Sequence, residues 1–438
     1  MANDHVTTAG RTLAPRPLAR DQRDDWDPFL RTMAWVGLNT FGGPVAQIGF
    51  MHKVAVEQKR WLTDEQFVHL LNFANVIPGP EALEIAIHLG YLRRGIAGGI
   101  AAGLLFIWPG FVTLTLLAWA YRTYGHLPAI AGFLDGVRPV AIALVAAAAV
   151  RISKKALKGW LSYVVMTAAF LASYVLDVFF VGILLGCGLL GLALGRYRED
   201  AHPSSSRVPA WLLVLVIAAG AIAVRLWSSP EMPPAKRTSN VEQQAPPGLS
   251  APEISTERLL EVAWVNTKAA LVTFGGAYTV LPYLREQSVD EYGWVSDREV
   301  VDALALGETT PGPLISIGVF LSYLAAGLPG AVVGCFFLFL PSFLLVLGLG
   351  RYIERIENLP HARDVLWGFS AGTLGLIIAL AADLVPPSIP NLFSGVLAAL
   401  AFLAVWRFDV NLMLIVLAGG ALGLVRAYGP QLLVAFGA

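Results

Sequence analysis

At 438 residues, 56% hydrophobic and only 14% charged, with a mean hydropathy of +0.63, the chain falls far below the charge content of a soluble domain, roughly one quarter. Formal net charge is zero, so nothing global favours nucleic acid, and Cys187 and Cys335 sit in apolar runs with no metal-ligand spacing and no disulfide framework. The apolar residues come in blocks of about 20, the length that crosses a hydrocarbon core, which predicts an all-α polytopic membrane protein.

Residues 1–28 are polar, carry Arg11, Arg16, Arg20 and Arg23, and contain no apolar h-region, so they read as a cytoplasmic N-terminal tail rather than a signal peptide. Apolar blocks follow at 29–50, 66–92, 95–121, 127–150, 160–176 and 178–195, together a first repeat spanning 29–195. Residues 196–256 form a linker rich in Pro, Ser and Gln that contains one further span, 209–228. A second repeat, 257–428, holds blocks at 258–284, 299–325, 329–350, 362–384, 391–406 and 410–428, before a short C-terminal tail at 429–438. If each block crosses once, six, one and six crossings make thirteen.

The two repeats share a register. Thr40-Phe41-Gly42-Gly43 matches Thr273-Phe274-Gly275-Gly276, and the same shift carries Trp61 to Trp294, Asp64 to Asp297 and Pro78-Gly79-Pro80 to Pro311-Gly312-Pro313. One deletion later, Tyr91 maps to Tyr323, Gly95 to Gly327, Gly98 to Gly330, Pro109 to Pro341 and Gly136 to Gly368. This is an internal duplication. The odd linker span would make the second repeat enter the membrane in the opposite sense, the inverted plan of many secondary transporters. Loop charge partly agrees. The basic stretches 151–158, 196–207 and 351–363 fall on one side, and 385–391, with no Lys or Arg, on the other. One loop dissents, because Lys53, Lys59 and Arg60 come out external.

Both motifs interrupt helices inside apolar blocks. Gly42-Gly43-Pro44 cannot hold a continuous hydrogen-bond ladder, and neither can Pro-Gly-Pro. Paired glycines also serve close helix packing, which remains the plain alternative, as a simple kink does for Pro-Gly-Pro. Broken backbone at membrane depth is tolerated where it faces a cavity. Its freed N–H groups and the positive ends of restarting half-helices make an anion site. Hydroxyls of Thr40, Thr273, Thr309 and Thr310 lie alongside.

Carboxylates stand at the second motif: Glu81 follows the first Pro-Gly-Pro, where it also suits a helix cap, and Glu308 precedes the second, aligned with Asn75. Intramembrane carboxylates mark ion or proton pathways, so Glu308, with Glu81 or Glu84 behind it, is expected to take up a proton or pair with a cation. Lys268 lies inside an apolar block, and His52 aligns with Arg285. Asp135 and Arg138, three apart, are expected to neutralise each other. Trp108, Trp160 and Trp406 fit core packing or an interfacial belt. "GGIAAGLLFIWPGF" (98–111) fits helix packing.

The ordered set "FGGPVAQIGFMHKVAVEQKRWLTDEQF", "NVIPGPEALEIAIHLGYLRRG", "TFGGAYTVLPYL" and "GETTPGPLISIGVFLSYLAAG" resembles the chromate ion transporter family in its long, two-domain form, from about residue 29 to 428. The resemblance implies export of the chromate dianion from a bacterial cytoplasm across the inner membrane, driven by the electrochemical gradient. It implies substrate contacts from Phe41, Gly42, Gly43, Pro44, Pro78, Gly79, Pro80, Glu81, Phe274, Gly275, Gly276, Glu308, Pro311, Gly312 and Pro313. To these the polar neighbours Thr40, Gln47, Asn75, Lys268, Thr273 and Thr310 are added. Gln47 stands where many members carry His or a similar polar residue, which bears on which oxyanion is taken.

No catalytic residues, metal or cofactor are expected. The partners expected are chromate or a similar oxyanion and membrane lipid, with self-association as a homodimer left open. Another anion such as sulfate, or a passive anion channel, are the alternatives. An enzyme would need a metal cluster or a nucleophile set that the sequence does not offer, and no Walker A motif is present.

Overall fold

The computed structural model describes residues 25–41, 43–157, 159–195, 254–274, 277–350, 361–408 and 410–435. Gly42, Gly275, Gly276, the linker span 209–228 and most of the basic stretches 196–207 and 351–363 lie outside these residues. The described chain is helical throughout, with no strand among the described residues.

The first repeat contains α1 (Trp26–Asn39), α2 (Gly43–His52), α3 (Asp64–Val76), α4 (Glu81–Tyr124), α5 (Pro128–Ala156), α6 (Trp160–Tyr174) and α7 (Phe180–Leu194). The second contains α8 (Thr256–Val272), α9 (Leu281–Arg285), α10 (Asp297–Glu308), α11 (Ile317–Leu349), α12 (Ala362–Ser388), α13 (Leu392–Phe408) and α14 (Leu412–Ala435). Both α2 and α9 run on into a π-helical turn, Lys53–Gln58 and Glu286–Glu291, at matching positions. Each turn ends at a residue with positive φ, Arg60 and its counterpart Gly293.

The shared W-x-[ST]-D motif has a local reason. Its hydroxyl residue is the N-cap of the next helix, and a capping box closes in both copies: Thr63 with Gln66, Ser296 with Glu299. Acidic Asp64 and Asp297 open the helix where its dipole favours them. They also bind back, Asp64 to His52 and Asp297 to Arg285, each at 2.8 Å.

Neither α4 nor α11 is one straight rod. Gly95 (φ 70°, ψ −157°) and Gly327 (φ 62°, ψ −153°) break them at equivalent points. A Cβ on Gly90 would run into the carbonyl oxygen of Gly98, and one on Gly330 into that of Ser322. Residues eight apart in a continuous helix are separated by about 12 Å, so each helix folds back on itself. In α4 the two arms are 81–94 and 96–124. The glycines of 98–103 pack against the first arm and against Phe343 and Leu347 of α11, so that segment serves packing.

The blocks around the FGG motifs also double back. Trp35 of α1 packs against Phe50 of α2, ring centroids 5.0 Å apart, and the Tyr283 hydroxyl of α9 donates to the Val265 carbonyl of α8 at 3.4 Å. Four helices among the described residues are long and apolar enough to cross a membrane, within Glu81–Tyr124, Pro128–Lys154, Leu314–Leu349 and Arg363–Ser388.

The repeats exchange their outer helices. A Cβ on Gly136 of α5 would strike the Gly419 carbonyl of α14, and one on Gly368 of α12 would strike the Cys187 carbonyl of α7. Backbones in contact at both crossings need small residues there. Trp108, Trp160 and Trp406 are 62%, 66% and 52% exposed, which excludes core packing.

Candidate functional site

Each Pro-Gly-Pro ends one helix and starts the next. Pro80 is the N-cap of α4, and Pro313 caps a 3₁₀ turn, Leu314–Ser316, that leads into α11. Pro suits that position because it lacks the donor a helix start would orphan. The glycine between takes a positive φ, 143° at Gly79 and 90° at Gly312, which the flanking prolines cannot adopt.

These glycines meet the FGG motifs of the opposite repeat. Gly79 N–H donates to the Thr273 carbonyl at 2.9 Å, and Gly312 N–H donates to the Thr40 carbonyl at 3.1 Å. The pattern is reciprocal, so four helix breaks converge on one place. Pro311 presses on Gly110 of α4, and Gly79 lies against Ser342 of α11, which is the counterpart of Gly110.

Side chains then differ between the two crossings. Gln47 Nε2 donates to the Gly312 carbonyl at 2.5 Å. The Tyr278 hydroxyl donates to Glu308 Oε1, and the same hydroxyl faces Gly43, 3.8 Å from where a Cβ would stand. Glu308 Oε2 is buried without a hydrogen-bond partner. At the other crossing Glu84, four residues past Pro80, is buried beside Gly79 with neither carboxyl oxygen partnered. Arg151 is the cation whose charge acts on Glu308 and Tyr278.

Most of the expected residues are brought together. Thr40, Thr273, Thr310, Pro80, Pro311, Gly312 and Pro313 are buried at the crossing, and Pro78, Glu81 and Phe41 are half-buried there. Pro44 is the second residue of α2, and Phe274 packs on Phe369 at 4.8 Å. The threonine hydroxyls are committed to their own helices: Thr40 donates to Val36 O, Thr273 to Ala269 O, Thr309 to Leu306 O and Thr310 to Gly307 O. Backbone N–H groups, rather than these hydroxyls, are therefore the donors left for a ligand. In α4 the Leu83 and Glu84 N–H groups reach back to the Pro80 carbonyl, at 2.9 and 3.1 Å, and those of Glu81 and Ala82 precede the first helical bond.

Two expected residues are engaged along their own helices. Lys268 lies over the Trp264 ring at 4.8 Å, and the charges acting on it are Glu291 and Glu286 of the surface turn. Asn75 turns its amide to Leu71 O at 2.8 Å. His52 and Arg285 hold acid partners at the surface rather than the crossing.

Sequence reasoning missed three residues. Tyr278 had a signal, a polar aromatic two residues past the FGG glycines. Asp302 and Tyr121 had little, because their partner is remote. Arg138 does touch Asp135, at 2.5 Å, but its main partner is fully buried Asp302, met at 2.8 and 3.0 Å through two nitrogens. Tyr121 completes the group with a 2.9 Å hydrogen bond to Asp302. Among the described residues no group of three or more His, Cys, Asp or Glu side chains is placed to hold a metal ion.

A sequence model described as Chromate transporter matches residues 28–192 and 260–424, both repeats. The chromate transport protein of Pseudomonas aeruginosa is 35% identical over 426 residues, 95% of each chain. That of Cupriavidus metallidurans is 30% identical over 405 residues, 91% of each, and a probable chromate transport protein of Synechococcus elongatus is 26% identical over 378, covering 86% of this chain and 89% of its own. No solved structure matches the chain. Two matched repeats and relatives aligned over nearly the whole length make the chain a member of the chromate transporter family.

Proposed function

We propose that the protein carries chromate, a tetrahedral dianion, out of a bacterial cytoplasm across the inner membrane, and that the crossing of the four helix breaks is where the anion sits. The observation that carries this reading is the reciprocal pair of bonds, Gly79 N–H to Thr273 O and Gly312 N–H to Thr40 O. A dianion in a low-dielectric site needs several fixed donors, and two half-helix starts held face to face supply them without fixed cations. The names of the relatives supply the substrate. A negative-inside potential by itself favours efflux, by about 4.6 kcal/mol for two charges per 100 mV.

The repeats are read as inverted, with four crossings each and two re-entrant hairpins. Arg94 lies over Trp26 at 4.2 Å and Arg93 over Trp61 at 5.3 Å, so the starts of α1 and α3 share a face with the Gly95 turn. The arm 96–124 then runs about 43 Å to the start of α5. There Asp135 shares a surface cavity of about 250 Å³ with Arg298, at the start of α10. Equivalent helices thus begin at opposite ends, which supports inversion. Folding two blocks back in each repeat keeps the parity even, so nine crossings, linker included, serve as well as thirteen.

The dissenting loop also falls into line. Lys53, Lys59 and Arg60 come to the face of Arg93 and Arg94, at the same end as the basic stretch 151–158. That face is read as cytoplasmic, with the N-terminus.

Everted vesicles test the function. Energised vesicles bearing the chain should accumulate chromate against a gradient, with sulfate competing. Equilibration without accumulation would make it a channel, and sulfate accumulation without chromate would move the substrate. Single cysteines at Lys53 and Gly293 should label from opposite sides of the membrane; labelling from one side would end the inverted reading.

A further inference from the structure

Glu84 is the anomaly of the site. It is 1% exposed, both carboxyl oxygens lack a hydrogen-bond partner, and Oε1 points at Gly79, where a Cβ would run into it. The Ser342 hydroxyl converges on the same glycine from α11, 2.5 Å from the position of that Cβ, and is likewise buried and unpartnered. Buried polar groups are ordinarily satisfied, and an unmatched carboxylate is the costliest exception. Its place is specific: the first turn of the arm 81–94, where the helix start would receive an oxyanion. The carboxylate therefore occupies ground the ligand needs.

We propose that Glu84 is a proton-responsive gate on the oxyanion site. Charged, its carboxylate fills the start of the arm 81–94 and excludes the dianion. On taking one proton from hydronium, whose O–H bond breaks to leave water as the carboxyl O–H forms, it becomes neutral, donates that O–H to Ser342, and leaves the helix start to the anion. The inference rests on the oxyanion reading of the crossing. Glu308 is less suited to the part, because Tyr278 already holds one of its oxygens.

The groups around Glu84 do not mask the effect. The charge that acts on it is Glu81, in the same helical turn, which repels a second negative charge. From α11 Ser342 meets it at Gly79, and the second arm packs on the first through Gly99 and Gly103, against Ile87. His88, one turn on, is buried against Phe73 of α3 at 5.3 Å and Tyr91 at 6.2 Å, with Nδ1 unpartnered.

Proton and dianion binding are then linked, each raising the other's affinity by the same factor. The test is chromate binding to the purified full chain across pH, with sulfate, doubly charged throughout, as a second probe. Wild type should lose affinity about tenfold per pH unit on the alkaline limb, the slope for one linked proton. Glu84→Gln should bind sulfate independently of pH and, in alkaline buffer, should bind both anions more tightly than wild type, a gain that misfolding cannot mimic. Ser342→Ala should move the wild-type profile to lower pH. A Glu84→Gln profile that follows wild type, or weaker binding at every pH, would overturn the gate; an alkaline shift in Ser342→Ala would overturn its hydrogen bond.

Infrared difference spectra between acid and alkaline buffer give a readout free of any oxyanion. A protonated-carboxyl band should vanish in Glu84→Gln and survive in Glu308→Gln; its persistence in Glu84→Gln overturns the proposal. If the band behaves as expected but neither probe binds at any pH, the proton site stands and the oxyanion reading falls.

Discussion

The two crossings share a backbone and divide the side chains between them. At the first, Gly79 is flanked by Glu84 and Ser342, both without partners. At the second, Gly312 meets Gly110 and the Gln47 amide, and the chain after Pro313 reads Leu314-Ile315-Ser316 with no carboxylate. Tyr278 and Glu308 replace Val45 and Asn75 of the first repeat. Duplication thus preserves what backbone geometry requires, the glycines and prolines. It leaves each copy free to carry different chemistry, one a bare acid and the other a tethered acid.

Alanine at the two glycines is the strongest way to break that comparison. A positive φ costs a non-glycine residue about 1–3 kcal/mol at either site. Only at Gly79 would the methyl also strike Glu84 and Ser342; at Gly312 the nearest atom is the Phe106 carbonyl, 3.3 Å away. Gly79→Ala is expected to abolish chromate accumulation in everted vesicles, while Gly312→Ala retains part of it. Equal losses would mean that Glu84 and Ser342 beside Gly79 have no part in transport.

A second difference lies nearer the surface. Asp302 ties α10 to Arg138 of α5, whereas its repeat counterpart is His69. Removing one partner of a buried pair leaves the other charge stranded, at about 3–5 kcal/mol. Asp302→Asn should lower the midpoint of thermal unfolding sharply; an unchanged midpoint would show the tie to Arg138 to be dispensable.

The smallest expected effect concerns the π turns, which begin with Lys53 in one repeat and Glu286 in the other. Glu286 accepts a hydrogen bond from Phe180 N–H, at the start of α7, at 2.8 Å. Burial pushes its carboxyl up to about 7. An acid raised on folding binds more protons in the folded state, so stability should decline as pH rises from about 4.5 towards 7 and level off above. Glu286→Gln should flatten that part of the profile, read as unfolding midpoint against pH; an unchanged slope would place the proton elsewhere.

How legible all this was depends on the range of the interaction. The doubled motifs, the capping residues Thr63 and Ser296, and the glycines that let helices touch act through nearby backbone, and they stand out in the text of the chain. Asp135 and Arg138 show where such reading stops: three apart on one helix, they invite pairing, but Asp302 takes two of the Arg138 nitrogens from the other repeat. The threonine hydroxyls beside the motifs look like ligand donors until their helix carbonyls claim them. Lys268, inside an apolar block, is buried over the Trp264 ring, and the charges acting on it are Glu291 and Glu286.

Composition and periodicity alone established a membrane-embedded helical duplication, because apolar block length and repeated Gly and Pro are local properties. Whether a block runs straight or doubles back was decided by tertiary contacts, since both forms bury the same apolar residues. So was the pairing of each Pro-Gly-Pro with the Thr before the other repeat's FGG, which no spacing encodes: hydrogen bonds between residues 194 and 272 positions apart form only when the whole bundle sets their distance.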